Sequence, residues 1–142
     1  IAIKKGFIPP AELITKFLWG LDGKGKMSAS RKDSSIFLNE DLTSAEKRIR
    51  TAYTGGSVSA DFQRKNGGIY EICPIWSLKT YHFESDNNVG ERCSSGELLC
   101  GNCKKEGIKQ VTNYLSEHQS RLIEAKKRID DFILKTPIRS IL

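Results

Sequence analysis

Apolar and polar positions follow helical rather than strand spacing over most of the chain. From residue 44 to 53, Ala45, Ile49, Ala52 and Tyr53 fall on one face of an expected helix. Thr43-Ser44-Ala45-Glu46 fits a capping box, with Thr43 as N-cap and Glu46 reaching back to it. Gly55-Gly56 ends that helix, and a shorter one is expected over residues 60–65, closed by Gly67-Gly68. Cys73-Pro74 fits an N-cap followed by proline at the first helical position. Ile75, Trp76, Leu78, Tyr81, His82 and Phe83 then recur at helical spacing, and the polar residues 84–96 are expected to form a loop. The longest pattern covers residues 102–134. Its face of Ile108, Val111, Leu115, Leu122, Ala125, Ile129, Phe132 and Ile133 holds a three-to-four spacing, and Pro137 ends it.

The first part of the chain is different. Pro10 is placed to open a short helix over residues 11–14, and residues 15–19 form an apolar run of strand or helix type. Gly20, Gly23 and Gly25 then make a flexible stretch leading into Lys26-Met27-Ser28-Ala29-Ser30, and residues 34–38 suit a short strand or turn. The change in composition at residues 38–42 separates this glycine-rich part from a helical remainder. Trp19 and Trp76 are expected in the core, and His118 as a packed or capping side chain. His82, on the Cys73 helix, is a candidate neighbour of a metal, but four cysteines already complete a site without it.

Composition narrows the class. A length of 142 residues suits one domain or parts of two. No apolar run approaches the roughly 20 residues that cross a bilayer. No apolar stretch of signal-peptide type follows Lys4 and Lys5, so a cytoplasmic protein without membrane partners is expected. The balance of 23 basic to 17 acidic residues, net +6, favours a polyanionic partner through phosphate neutralisation. A soluble domain that happens to be basic has the same charge.

Two constellations carry chemistry. In the segment around residues 26–30, glycines allow close approach of backbone to an anion. Lys24 and Lys26 supply positive charge, and Ser28 and Ser30 supply hydroxyl donors. Such a loop suits stabilisation of charge on a triphosphate losing pyrophosphate, although basic, serine-rich surface loops share this composition. The four cysteines are spaced Cys73-x19-Cys93-x6-Cys100-x2-Cys103. Four thiolates suit a tetrahedral zinc ion or a 4Fe–4S cluster. A disulfide and unliganded buried thiols are the alternatives. Lys104, Lys105 and Arg121 are candidate contacts for RNA phosphates, and a solvated helix face is the plainer reading of each.

KMSAS resembles the KMSKS signature of class I aminoacyl-tRNA synthetases. The string GLDGKGKMSASRKDSSIFL is similar to the archaeal and eukaryotic branch of the tryptophanyl-tRNA synthetase family. AYTGG, QRKNGG, SGELLCGNCKK and LSEHQSRL extend the resemblance in order along nearly the whole chain. It implies a mainly α C-terminal portion of such an enzyme. Residues 1–39 would end a class I Rossmann catalytic domain and carry its KMSKS-type loop. Residues 40–142 would form an α-helical anticodon-binding domain with a four-cysteine metal site.

By the same resemblance, Lys26 would act on the ATP phosphates as the catalytic side chain, and Lys26, Met27, Ser28, Ala29 and Ser30 would form the ATP-binding loop. Cys73, Cys93, Cys100 and Cys103 would hold a 4Fe–4S cluster, with Zn2+ as the alternative. The implied partners are tRNA(Trp), tryptophan and ATP with Mg2+, in a homodimer. The motif's second lysine is Ala29, and the usual Asp-Pro-Asn after it is Arg31-Lys32-Asp33; Arg31 or Lys32 is expected to replace the missing cation. No HIGH-type motif is present, so the isolated chain is expected to form no adenylate. A non-catalytic RNA-binding module with a structural metal site is the competing expectation.

Overall fold

The computed structural model describes residues 16–56, 59–83 and 88–133. They contain five α-helices: α1 (Leu42–Thr51), α2 (Ala60–Asn66), α3 (Pro74–His82), α4 (Val89–Ser94) and α5 (Cys100–Lys127). Among the described residues, β structure is limited to one antiparallel bridge between Trp19 and Lys26. The expected helix over residues 11–14, and Leu134 and Pro137, lie outside the described residues. No helix among the described residues is long and apolar enough to cross a membrane.

Local chemistry sets the helix ends. Asp41, not Thr43, caps α1: its carboxylate accepts the Ser44 N–H at 2.8 Å. An acceptor three residues before an orphan N–H closes the cap, and an ionised one also meets the positive helix terminus. Side-chain and backbone bonds to Ser44 hold the Asp41 carboxyl below its ordinary value. Glu46 pairs with Arg50 instead of closing a capping box. Ser59 caps α2 through the Phe62 N–H at 3.2 Å, and Gly67 ends it at φ +74°. Cys73 and Pro74 occupy the N-cap and first helical position of α3, as the sequence indicates.

Two expectations change. Part of the expected loop 84–96 is helix α4, which the buried Val89 and Gly90 hold against the fold. Gly90 lies under Tyr70 and Trp76; a Cβ there would be 3.2 Å from both. α5 starts at Cys100 and stops at Lys127, where a 3-10 turn (Ile129–Asp131) follows.

α5 packs along α1 and, less extensively, against α3. Ala45 and Ile49 of α1, Ala52 at its C-cap, Ile75 and Leu78 of α3, and Val111 and Leu115 of α5 share one buried cluster. Each large aliphatic member contributes about 1.5–3 kcal/mol by leaving water. Leu21, from the glycine-rich segment, is 1% exposed in the same cluster, so that segment is fastened onto the helices. The stripe is covered only as far as Leu115; Leu122 on α5, and Ile129, Phe132 and Ile133 beyond it, are exposed. Trp76 is half-buried between the rings of Tyr70 and Tyr81, and His118 stacks on Tyr114. Trp19 is also half-buried.

Candidate functional site

The glycine-rich segment folds back on itself. Met27 N–H donates to Leu18 O at 2.8 Å and Gly20 N–H to Gly25 O at 2.7 Å, closing a tight turn. Gly23 and Gly25 adopt φ +71° and +83°, a region that disfavours side chains. The Tyr53 ring lies directly on Gly23, where an added Cβ would come within 2.6 Å of it. The sequence pattern puts Tyr53 on the core face of α1; it lies instead beyond the helix, exposed, and covers this turn.

Ser34 and Ser35 grip the loop from beneath. Ser34 is fully buried; its hydroxyl accepts the Ser28 N–H at 3.1 Å and donates to Arg31 O at 2.7 Å. Ser35 Oγ donates to Ser28 O at 2.9 Å. Arg31 braces the other side, its guanidinium donating to Lys24 O at 2.5 Å and Lys26 O at 2.6 Å, 3.4 Å from the Asp22 carboxylate. Ser28 and Ser30 share a hydroxyl bond of 2.9 Å. The Lys26 side chain is exposed, and among the described residues no carboxylate pairs with it. The main chain at Ser28 is thus fixed, while two hydroxyls and one ammonium face outward.

The second constellation joins three elements. Cys73 precedes α3, Cys93 is on α4, Cys100 and Cys103 are in the first turn of α5, and all four line one small cavity with Thr54, Val89 and Leu98. Two glycines leave room for the sulfurs. A Cβ on Gly56 would lie 2.4 Å from Cys100 Sγ, and one on Gly68 2.9 Å from Cys93 Sγ. Hydrogen-bond donors face the sulfurs. Trp76, Gly55 and Ile75 present backbone N–H groups to Cys73, two of them unsatisfied donors of the α3 N-terminus. Gly68 N–H donates to the Cys93 carbonyl at 2.9 Å, and the buried Gln63 donates its amide to Cys100 Sγ at 3.4 Å.

Burial pushes the Cys73 thiol up, Cys93 up to about 11 and Cys103 up to about 12; for Cys103 the Lys79 charge opposes that rise. As the side chains stand, no three His, Cys, Asp or Glu groups among the described residues are in metal-holding geometry. All four thiols nevertheless line one cavity, with glycines making room beside Cys93 and Cys100 and N–H donors beside Cys73 and Cys100. Those features suit thiolates, which buried neutral thiols become when a cation displaces their protons.

His82 is exposed on α3 and is not among the cavity's lining residues. Lys104 directs its ammonium at the end of α1, donating to Ala52 O at 2.6 Å and Arg50 O at 2.9 Å. Lys105 is exposed, and Arg121 is exposed 3.8 Å from Glu117. Sequence reasoning missed Gln63, Ser34, Ser35 and the bracing by Arg31. QRKNGG and SSIFL contain three of these residues, but their partners are distant or need the turn to form first.

A family model described as tRNA synthetases class I (W and Y) matches residues 2–116. The chain belongs to this class I tRNA synthetase family. A relative in Pyrobaculum aerophilum named Tryptophan--tRNA ligase is 36% identical over 97% of this chain. One in Aeropyrum pernix with the same name is 40% identical over 82% of it. The chain spans about a third of these relatives, 38% and 32% respectively. Among solved structures, the A. pernix tryptophanyl-tRNA synthetase matches with a TM-score of 0.70 at 40% identity, covering 76% of this chain and 30% of that one. An Entamoeba histolytica tryptophanyl-tRNA synthetase homolog matches at 0.74 and 29% identity, covering 84% and 33%. These synthetase relatives share the mostly helical arrangement described above.

Proposed function

We propose that this chain is the C-terminal part of a tryptophan–tRNA ligase, which activates tryptophan with ATP and transfers it to tRNA(Trp). The observation that carries this reading is the braced loop: Ser34, Ser35 and Arg31 fix its main chain and leave Lys26 exposed at its edge. In this reading residues 1–39 complete the nucleotide-binding domain and residues 40–142 form the anticodon-binding part. Lys26 approaches the β- and γ-phosphates and offsets the charge that builds on the leaving pyrophosphate. Ser28 and Ser30 exchange their mutual bond for bonds to phosphate oxygen. Mg2+ accompanies the triphosphate and neutralises part of its charge. Arg31 holds the loop rather than replacing the lysine missing at Ala29, which leaves Lys32 as the nearer substitute.

Cys73, Cys93, Cys100 and Cys103 would hold a 4Fe–4S cluster or a zinc ion. When bound, either supplies a cationic centre that ties the segment before α3, α4 and the start of α5 together. Lys105 and Arg121 are proposed to meet tRNA phosphates, and Lys104 secures the C-terminal end of α1.

The test replaces the matching third of the P. aerophilum relative with this chain. The chimera should catalyse ATP–pyrophosphate exchange that depends on tryptophan and not on tyrosine, while the chain alone should give none. A chimera that folds and binds tRNA but exchanges no pyrophosphate would favour a non-catalytic RNA-binding module.

A further inference from the structure

Arg48 lies on α1 and meets three groups outside that helix. Its Nε is 2.9 Å from the Glu40 carboxylate, its guanidinium donates to the Lys32 carbonyl, and its Cζ lies over the Phe37 ring, 5.8 Å from the centroid. The Arg48 and Glu40 side chains are only 23% and 9% exposed, so removing one would leave the other charge largely buried and unpaired. Glu40 is fixed in turn. Its carboxylate accepts the Phe37 N–H at 3.0 Å, and the Gln119 amide of α5 donates to the Leu38 and Glu40 carbonyls at 3.1 and 2.8 Å. Arg48 is thus anchored on the side of the helices. Arg50, by contrast, pairs with Glu46 on its own helix.

On the other side, Lys32 opens the 3-10 turn Lys32–Ser34 that follows the loop. Its carbonyl also accepts the Ser35 N–H at 3.4 Å, and Ser34 and Ser35 hold Ser28 from beneath. The Lys32 side chain is exposed. One guanidinium therefore ties α1 to the turn that seats the loop. Its separate N–H groups serve a carboxylate and a carbonyl at once, which a compact ammonium does less well. We infer that Arg48 is a positioning residue for ATP activation. By holding the Lys32 carbonyl it sets where the Lys32 ammonium and the Ser28 main chain stand relative to the phosphates. This inference rests on the reading of residues 26–30 as the ATP loop, with Lys32 as its second cation.

Tryptophan-dependent pyrophosphate exchange by the chimera with the P. aerophilum relative tests this. Arg48→Met should lower kcat by about 10- to 100-fold, the loss expected when catalytic groups are misplaced, and leave KM for tryptophan unchanged. Glu40→Gln combined with Arg48→Met no longer buries an unpaired carboxylate. The double variant should therefore regain thermal stability but not kcat. In this chain itself, the Ser35 amide of Arg48→Met should exchange faster with solvent deuterium, while Val111 in the core face of α5 keeps its rate. Circular dichroism checks that each variant folds; if Arg48→Met does not, the double variant decides alone. A folded, unmodified chimera without exchange activity would overturn the loop reading and this inference together. An active chimera in which Arg48→Met keeps its kcat, or in which the double variant regains it, would overturn this inference alone.

Discussion

Tyr53 donates its backbone N–H to the Leu21 carbonyl at 2.7 Å and lays its ring on Gly23. The end of α1 is thereby joined to the turn that carries Lys26. Two residues further on, Gly55 and Gly56 pass against Cys73 and Cys100. The short AYTGG segment therefore touches both the loop and the cysteine cavity.

Gly23→Ala should lower stability by about 1–3 kcal/mol, because alanine is strained at positive φ and its Cβ meets the Tyr53 ring. Removing the ring with Tyr53→Ala should recover the steric part and leave the backbone part. A double-mutant cycle from denaturant midpoints measures both; strict additivity would mean that the contact is not made.

Ser34→Ala leaves the Ser28 N–H without its buried acceptor, while the Arg31 carbonyl keeps only the Ser34 backbone N–H, and should cost about 1–3 kcal/mol. The Ser28 amide should then exchange faster with solvent deuterium than in the unmodified chain. A decrease in stability without faster exchange at Ser28 would place the effect elsewhere.

Much of the helical skeleton is legible in the sequence because its signals are local. Cys73-Pro74 marks a helix start and Gly67 a helix end by residue chemistry alone. The departures have tertiary causes. α4 has almost no periodic apolar face and forms because Val89 is buried and Gly90 fits beneath Tyr70 and Trp76. Thr43 satisfies the capping-box pattern, but Asp41 is three residues before an unpaired N–H and carries a full charge. The loop is visible as a motif, while its bracing by Ser34, Ser35 and Arg31 depends on a turn that brings them under Ser28. Lys104 resembles a surface cation in the sequence, and only the packing of α5 on α1 shows that it meets the Ala52 carbonyl.

Lys104→Met should destabilise the chain by about 0.5–2 kcal/mol, since it removes a cation and two bonds from the C-terminus of α1. Arg121→Met should leave the melting midpoint unchanged and reduce the salt dependence of tRNA binding by about one unit of slope. Thermal unfolding and binding at several salt concentrations separate the two roles. Equal effects of both substitutions on the slope would contradict this division.

The Asp41 cap sets an acid limit. Its folded-state carboxyl is held below the ordinary 3.8, so its contribution is present above that value. The contribution is lost as pH falls through the lower folded-state value. The difference in melting midpoint between the unmodified chain and Asp41→Ala should therefore shrink as pH drops from 6 to about 3. A difference independent of pH would mean that the cap works without its charge.

Metal binding should release protons. Cys73, Cys93 and Cys103 are held protonated at neutral pH by burial, so each must lose a proton to become a ligand. Calorimetry at pH 7 in buffers of different ionisation enthalpy should give at least three protons released per ion. A value near zero would exclude these thiols as the ligands.

Lys26 is the side chain on which the functional account turns, and pyrophosphate exchange reads its role most directly. In the chimera with the P. aerophilum relative, Lys26→Ala should lower tryptophan-dependent exchange by about 100- to 1,000-fold in kcat. KM for tryptophan should change little, because the lysine acts on the phosphates and not on the amino acid. An active chimera whose exchange rate is unaffected by Lys26→Ala would contradict the assignment of residues 26–30 as its ATP loop.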